Sequence, residues 1–441
     1  MRNMFYLLTL KVSGIKNIEE EIVIKFYKKT IDKTFDPDKY RVKAIYGENG
    51  SGKTAIVTSV HILKMLMYSE FYLAETKNQQ FLNEIINKKT EKLNIEVEFI
   101  YKGFRDNNVY KYQIELAKSK TDKYVINSEA LWVKSGNYAA AKYSTVYVCE
   151  NGEIISTMAP SIEEELIRMT ANLLDTRTLL CAIMSRNDDA FERYLTKEFA
   201  IPIIAAMVFA LFLRASIEES DQHDLYFMQQ IVYNTDDADE ILNDVLPQIL
   251  DVLNDRQRHS DKLVNKDDFD EYAKTVKQME EFVKCFKPDL QGIEIERIEN
   301  KDYYECRLVM RYEGYTVDVE FESTGIKKLM RLFDFMHFTA QGGIVFIDEM
   351  DSNINDVYLC KLIEYMMKYG KGQLCFTTHN TSPMAVLREG KNSIDFLSND
   401  GRVITWKRDG NFSPENLYRH GMIEYLPFNI EPEDFIGILG E

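Results

Sequence analysis

The sequence predicts an α/β fold of two lobes built around one glycine-rich loop, with a helical segment inserted between them. Three observations predict it. A β-like run at 40–46 leads into a glycine-rich loop, and a helical pattern follows from Thr54 to about Tyr68. About 300 residues later an apolar run, IVFI, ends in Asp348-Glu349. Between the two, at about residue 156, alternating strand patterns give way to apolar residues at helical spacing; the strands return at about 288.

Taken in order, 7–12 and 22–26 are short β-rich runs ahead of the loop. Residues 92–150 read as strands in LNIEVEFIY, VYKYQIEL, EALWV and STVYVC, separated by polar turns. The segment 156–287 reads as a helical insertion of about 130 residues through IEEELIRMTANLL, RTLLCAIM, AIPIIAAMVFALFL, YFMQQIVY and ADEILNDVLPQILDVLN. Polar breaks fall near 216–224 and 254–268. Strands resume at IEIERIE, YECRLVMRY and YTVDVEFE. A helix over IKKLMRLFDFMHFTA, the strand GIVFIDE, a helix over 357–368 and the strand QLCFTT follow. Short strands, SIDFLS and VITWKR, precede an acidic end. The expected organisation is 1–155 as the N-terminal lobe, 156–287 as the insertion and 288–441 as the C-terminal lobe.

Composition narrows the function classes. At 441 residues, 45% hydrophobic and 28% charged, the chain is neither disordered over most of its length nor a disulfide scaffold. Its 54 Lys+Arg against 71 Asp+Glu give a net charge of -17, which excludes a surface that binds nucleic acid everywhere. A local patch at Arg256, Arg258, His259 and Lys262 is the candidate contact to nucleic acid or to a partner, against the simpler reading of a solvated helix–loop. The six cysteines, Cys149, Cys181, Cys285, Cys306, Cys360 and Cys375, form no C-x-x-C pair and flank no histidine at zinc spacing. They read as buried thiols in a reducing compartment. The N-terminus has only a short apolar run and no small-residue cleavage site, so no signal peptide is expected. The longest apolar run, 199–213, is too short for a membrane span and reads as one buried helix. A cytoplasmic protein with no membrane contact is expected.

Gly47-Glu48-Asn49-Gly50-Ser51-Gly52-Lys53-Thr54 fits G-x-x-x-x-G-K-[ST] between a strand and a helix. Glycines let the backbone wrap a polyphosphate, and its N–H groups and the helix N-terminus favour the anion. Lys53 is placed to reach the β- and γ-phosphates and Thr54 to hold Mg²⁺, so Gly47, Asn49, Gly50, Ser51, Gly52, Lys53 and Thr54 form the expected nucleotide site for ATP. Asp348 is the second expected Mg²⁺ contact, and Glu349 the residue that orients or deprotonates water. Neighbouring side chains on a strand point to opposite faces, so both can serve one site only if the strand ends and the chain bends at Glu349. His379, in Thr377-Thr378-His379-Asn380 after the next strand, is expected near the γ-phosphate or the attacking water. Ser323 and Gly325, in Glu322-Ser323-Thr324-Gly325 ahead of a helix, form either an ordinary N-cap or an anion site.

These elements, in this order, resemble the ABC-like ATPases of the OLD and AbiL-type bacterial antiphage systems; PtuA of Septu and AriA of PARIS are built similarly. Beyond the motifs, GIKNIEEEIVIKF, NSEALWV, RTLLCAIMSRNDDAFERYL and FESTGIKKLMRLFDFM followed by GGIVFIDEMDSNIND carry the resemblance. It implies an ABC/SMC-like P-loop ATPase head, and a homodimer sandwiching two ATP, with Ser323 and Gly325 of one protomer facing Lys53 of the other. It further implies a separate effector, a nuclease, encoded nearby; stoichiometry beyond the dimer stays open, with rings or stacks of dimers as alternatives. A RecF- or SMC-type repair ATPase that binds DNA directly is the alternative; about 130 residues without heptads cannot form a long SMC arm. A scaffold that binds ATP without turning it over is a third reading.

The chain departs from the family at Ile354-Asn355, where Leu-His is frequent, and at Ile326, where Thr often follows the signature glycine. Neither Gln79 nor Gln80 makes a convincing Q-loop; both read as surface residues. No intrinsic nuclease is expected: Asp237-Ala238-Asp239 lies at the polar start of a helical run, and about sixty residues after His379 are too few for a Toprim domain. The stretch Glu431-Pro432-Glu433-Asp434-Phe435-Ile436 mixes acid with apolar side chains and suits either a loose terminus or a docking segment.

Overall fold

The computed structural model describes residues 4–102, 107–173, 177–185, 196–216, 263–301, 303–352, 354–408, 413–419 and 423. The basic cluster at 256–262, Asp237-Ala238-Asp239 and the acidic-apolar stretch at 431–436 lie outside them, as do YFMQQIVY and the helical pattern after it.

The chain begins with β1 (Met4–Ser13), β2 (Ile22–Lys25) and β3 (Val42–Gly47), then α1 (Lys53–Tyr68) and α2 (Thr76–Ile85). Five strands follow: β4 (Lys92–Lys102), β5 (Asn107–Lys118), β6 (Tyr124–Ser135), β7 (Ser144–Glu150) and β8 (Glu153–Thr157). Next come α3 (Glu163–Leu173), α4 (Leu179–Met184), α5 (Lys197–Phe212) and β9 (Leu213–Ser216). After β10 (Leu263–Asn265) run α6 (Phe269–Phe286), β11 (Gly292–Glu299), β12 (Tyr303–Tyr312), β13 (Tyr315–Asp318) and α7 (Thr324–Gln341). The last elements are β14 (Ile344–Ile347), α8 (Asp356–Tyr369), β15 (Gln373–Thr377), α9 (Met384–Leu387), β16 (Ile394–Leu397), β17 (Val403–Thr405) and α10 (Pro414–Arg419).

The chain divides into two compact units, one of residues 1–219 with 342–441 and the other of 220–341. These are not the expected boundaries at 155/156 and 287/288. Residues 156–216 belong with the first unit, and the helix that follows Ser323 belongs with the second. The reason is visible at 199–213. The run was expected as one helix, but the helix stops at Phe212, and 213–216 turn extended as the parallel edge strand beside β14. An apolar stretch buried all round shows no periodicity that could mark the change. YTVDVEFE is also shorter as a strand than expected: Asp318 Oδ1 accepts from Glu320 N–H at 2.6 Å and starts a 3₁₀ turn.

The first unit holds two sheets. One is antiparallel, in the order β2-β1-β4-β5-β6-β7-β8. Its strands alternate as expected for a sheet with one buried face: Leu93, Ile95, Val97 and Phe99 of β4 point into the core. The other has the order β17-β16-β3-β15-β14-β9 and is parallel except for β17. Its strands β3, β14, β15 and β16 are buried throughout, as parallel strands are; β14 is apolar at every position, and β3, β15 and β16 each bury polar side chains. The core lies between the sheets and α5. Phe209 stacks on Phe99 with ring centres 3.9 Å apart, and Phe26 meets Phe346 edge-on at 5.9 Å.

Two polar joints fix this core. The Gln373 amide bonds both backbone groups of Leu7, accepting from its N–H at 2.9 Å and donating to its carbonyl at 3.0 Å, where the β1–β4 register shifts. Glu129 of β6 is wholly buried, and its carboxylate accepts from Tyr112 and Tyr147 hydroxyls and from Leu179 and Leu180 N–H at the start of α4. Burial raises its pKa, and the four donors oppose the rise. Thr178, which caps α4, donates to the Leu66 carbonyl near the end of α1 at 3.0 Å. The second unit pairs β10-β12-β11, with β13 also on β12, and sets α6 beside α7 through Phe282 and Phe333.

Lys43 and Asp395 form an ion pair of 2.6 Å between β3 and β16, each only 1% exposed. Removing one partner leaves a buried charge uncompensated. Lys43→Met is therefore expected to lower unfolding free energy by about 3–5 kcal/mol. Lys43→Met with Asp395→Leu should recover most of that loss in urea titrations; no recovery would show that the pair does more than neutralise itself.

Candidate functional site

The glycine-rich loop is shaped by contacts that only glycine permits. A Cβ on Gly47 would lie 2.5 Å from the Leu397 carbonyl and 2.6 Å from Ser51 Oγ, and Gly52 takes φ +104 against Ile18. Lys53 folds back over the loop: its ammonium donates to the Gly47 and Glu48 carbonyls at 2.8 Å each. Burial pushes the Lys53 pKa down, against Asp348, Glu349, Asp351 and Glu48, which raise it. Helix α1 starts at Lys53 with no side-chain cap, Thr54 is exposed in its first turn, and the buried Ser51 hydroxyl has no hydrogen-bond partner. Asn49 and Gly50 are exposed, and nothing stands within 4 Å of a Cβ built on Gly50. Uncapped N–H groups, an orphaned hydroxyl and a cation held by weak neutral acceptors fit an anionic phosphate.

The acidic pair sits where the bend requirement puts it. β14 ends at Ile347, and Glu349 has φ +46, a left-handed conformation unusual for a residue with a side chain. The bend lets Glu349 reach the same end of the sheet as Asp348. β15 lies between β3 and β14, so its end faces both the loop and the acidic turn. The Thr377 hydroxyl, at that end, accepts from Glu349 N–H at 2.8 Å and donates to Asp348 Oδ1 at 2.5 Å. With Thr54 exposed on α1 and Asp348 held at the facing strand end, the oxygen donors suit a hard cation such as Mg²⁺.

His379 is solvent-exposed two residues beyond Thr377. Partial loss of hydration and then Lys53 push its pKa below the ordinary value; Asp351, Glu349 and Asp348 pull the other way. These influences place Lys53, Asp348, Glu349 and His379 in one electrostatic neighbourhood. The loop that carries His379 is pinned to the start of α8: Asn380 Nδ2 and Ser382 Oγ donate to the two oxygens of Asp356, at 2.7 and 2.8 Å.

Ser323 and Gly325 lie in the second unit and are described with it. Ser323 is exposed at the start of α7, and its hydroxyl accepts from Ile326 N–H at a long 3.4 Å. A Cβ on Gly325 would have only Ser323 Oγ at 4.0 Å, so the backbone there is open. Phe321, two residues before Ser323, is 80% exposed.

Several contributors escape the motifs. Asn17 donates to the Gly50 carbonyl at 2.6 Å, so GIKNI braces the loop from the antiparallel sheet. Asn399 donates to the Glu48 carboxylate, and Asp351 lies within electrostatic reach of Lys53 and His379. Thr377 carried a signal, a hydroxyl at a strand end just before the histidine. Asn17 carried none, because its contact spans 33 residues. Gln79 is a clasp rather than a loose surface residue: its amide donates to the Leu73 and Tyr124 carbonyls and accepts from Tyr124 N–H. Asn355 caps α8 by accepting from Val357 N–H at 2.9 Å.

No protein-family model matches the chain, and no curated protein sequence matches it. Solved structures do. An Smc head bound to the C-winged helix domain of ScpA is 12% identical, with TM-score 0.43, over 91% of this chain and 98% of that one. An Smc head with an extended coiled coil, bound to the C-terminal domain of ScpA and derived from Pyrococcus furiosus, is 12% identical with TM-score 0.40, over 92% and 97%. The SMC head domain from Thermotoga maritima is 14% identical with TM-score 0.33, over 91% and 99%. The chain's own topology carries the fold assignment. A glycine loop follows β3, β15 stands between β3 and the acidic strand, and an antiparallel sheet joins through Leu7 and Gln373. This is an α/β P-loop topology. No helix among the described residues is long and apolar enough to cross a membrane.

A histidine whose folded pKa lies below its unfolded value stays neutral in the fold, and stability falls as pH drops through the unfolded value of about 6.5. His379 is expected to titrate below 6.5 by histidine-selective NMR, and Lys53→Met to move its midpoint upward by removing a depressing charge. A midpoint unmoved by Lys53→Met would separate the two side chains.

Proposed function

We propose that the chain binds and hydrolyses ATP as an ABC-like head. The convergence of Lys53, Asp348, Glu349 and His379 at the ends of three neighbouring strands carries this reading. Lys53 exchanges the Gly47 and Glu48 carbonyls for β- and γ-phosphate oxygens, and loop N–H groups hold the rest of the polyphosphate. Thr54 and Asp348 would hold Mg²⁺, which neutralises charge building on the transferred phosphoryl group. Glu349 orients the attacking water and takes its proton. His379, neutral at pH 7, is placed to bond the γ-phosphate side of that water.

Ser323 and Gly325 serve the nucleotide of a second protomer. The exposure of Ser323, the open backbone at Gly325 and the bare Phe321 beside them suit a surface that is completed by another copy. The motif order and the sequence resemblance extend the reading to regulation. ATP binding holds a dimer, or a stack of dimers, that controls a separate effector, a nuclease, in an antiphage system.

Glu349→Gln should bind ATP, cut turnover at least 100-fold and double the particle mass in light scattering when ATP is added. A variant that stays monomeric with ATP bound would remove the sandwich. A stable complex with the product of the neighbouring gene, and turnover indifferent to DNA, supports the regulatory reading; turnover that rises with DNA and collapses with salt supports a repair-type head instead.

A further inference from the structure

Thr377 is wholly buried at the end of β15, and its hydroxyl is committed in both directions. A backbone N–H can only donate, so the Glu349 N–H at 2.8 Å must use a lone pair of the threonine oxygen. The hydroxyl proton is therefore left for Asp348 Oδ1 at 2.5 Å. The Thr377 carbonyl accepts from Met350 N–H at 3.1 Å, so three successive residues of the acidic turn hang on one residue of the neighbouring strand.

The turn needs holding. A non-glycine residue in the left-handed region sits there only when its surroundings over-determine it. Glu349 at φ +46 is fixed by its N–H bond to Thr377, and the bond to Oδ1 fixes the Asp348 carboxylate through one of its two oxygens. The threonine methyl, stiff at χ1 within a strand, keeps the hydroxyl aimed.

We propose that Thr377 is the positioning residue of the hydrolytic site: its hydroxyl orients Asp348 for the metal and locks Glu349 in the left-handed turn that aims its carboxylate. The inference rests on the ATP-hydrolysing reading above. It assigns Thr377 to metal-dependent steps and not to phosphate capture, which belongs to the loop.

The test compares Thr377→Val, which keeps the shape, with Thr377→Ser, which keeps the hydroxyl; Thr377→Ala, which adds no bulk, is read in parallel should the valine variant fold poorly. Turnover and ATP affinity with and without Mg²⁺ are measured on the full chain. Thr377→Val and Thr377→Ala should lose at least 30-fold in turnover and at least tenfold in the affinity that Mg²⁺ adds, with metal-free ATP affinity within twofold of wild type. Thr377→Ser should return turnover to within threefold. Equal loss in the serine variant, an unchanged Mg²⁺ gain in both other variants, or a matching fall in metal-free affinity would each overturn the proposal, as would a wild-type chain that gains no affinity from Mg²⁺. A wild-type chain that binds Mg²⁺ and ATP but never turns over removes the hydrolysis reading and leaves Thr377 to be decided by affinity alone. An active wild-type chain whose valine and alanine variants keep the Mg²⁺ gain removes the Thr377 assignment and leaves hydrolysis standing.

Discussion

The site depends on one constraint: β15 runs between the strand that ends in the phosphate loop and the strand that ends in the acidic pair. Neighbouring strands are about 4.8 Å apart. A strand in the middle therefore sets the loop and the carboxylates about two strand spacings apart. The end of that middle strand must touch both sides, and it carries Thr377 and, two residues on, His379. Parallel pairing of β3, β15 and β14 brings all their C-terminal ends to one edge, where ligands of open parallel sheets bind.

The antiparallel sheet steadies that edge. Gln373 at the start of β15 is tied to Leu7, so the strand that ends at the site is anchored at its other end to β1. Asn17, just past β1, reaches the loop itself. Glu129 secures the start of α4, and Thr178 passes that anchorage to the end of α1, the helix whose first residue is Lys53. A buried carboxylate with four donors is costly to disturb, since removing it leaves hydroxyls and amides unpaired. The phosphate loop is thus braced at both ends of its helix by polar contacts that no motif contains.

Much of the site was legible in the residues. The strand–loop–helix around Lys53, the need for a bend at Glu349 and the strand-end position of His379 follow from spacing and strand geometry, and each appears where expected. What could not be read is instructive. The run 199–213 is apolar on every side, so it shows no period, and only pairing with β14 reveals where helix becomes strand. The division of the chain was likewise hidden: texture marks helix against strand, but units follow contacts between residues far apart in sequence.

The sequence by itself determined the local chemistry: a glycine loop that can wrap phosphate, a cation and two carboxylates at the right ends of their elements, and a chain bend implied by two adjacent acids. These depend on residue type and on interactions within a few residues, which the order of the chain specifies directly. Only the tertiary structure decided that Thr377 joins Asp348 to Glu349, that Asn17 braces Gly50 and that Glu129 accepts from the first N–H group of α4. Those contacts join residues 28 to 50 positions apart. Their energy comes from satisfying buried donors and acceptors, and a partner for a buried polar group exists only once the sheets have been assembled.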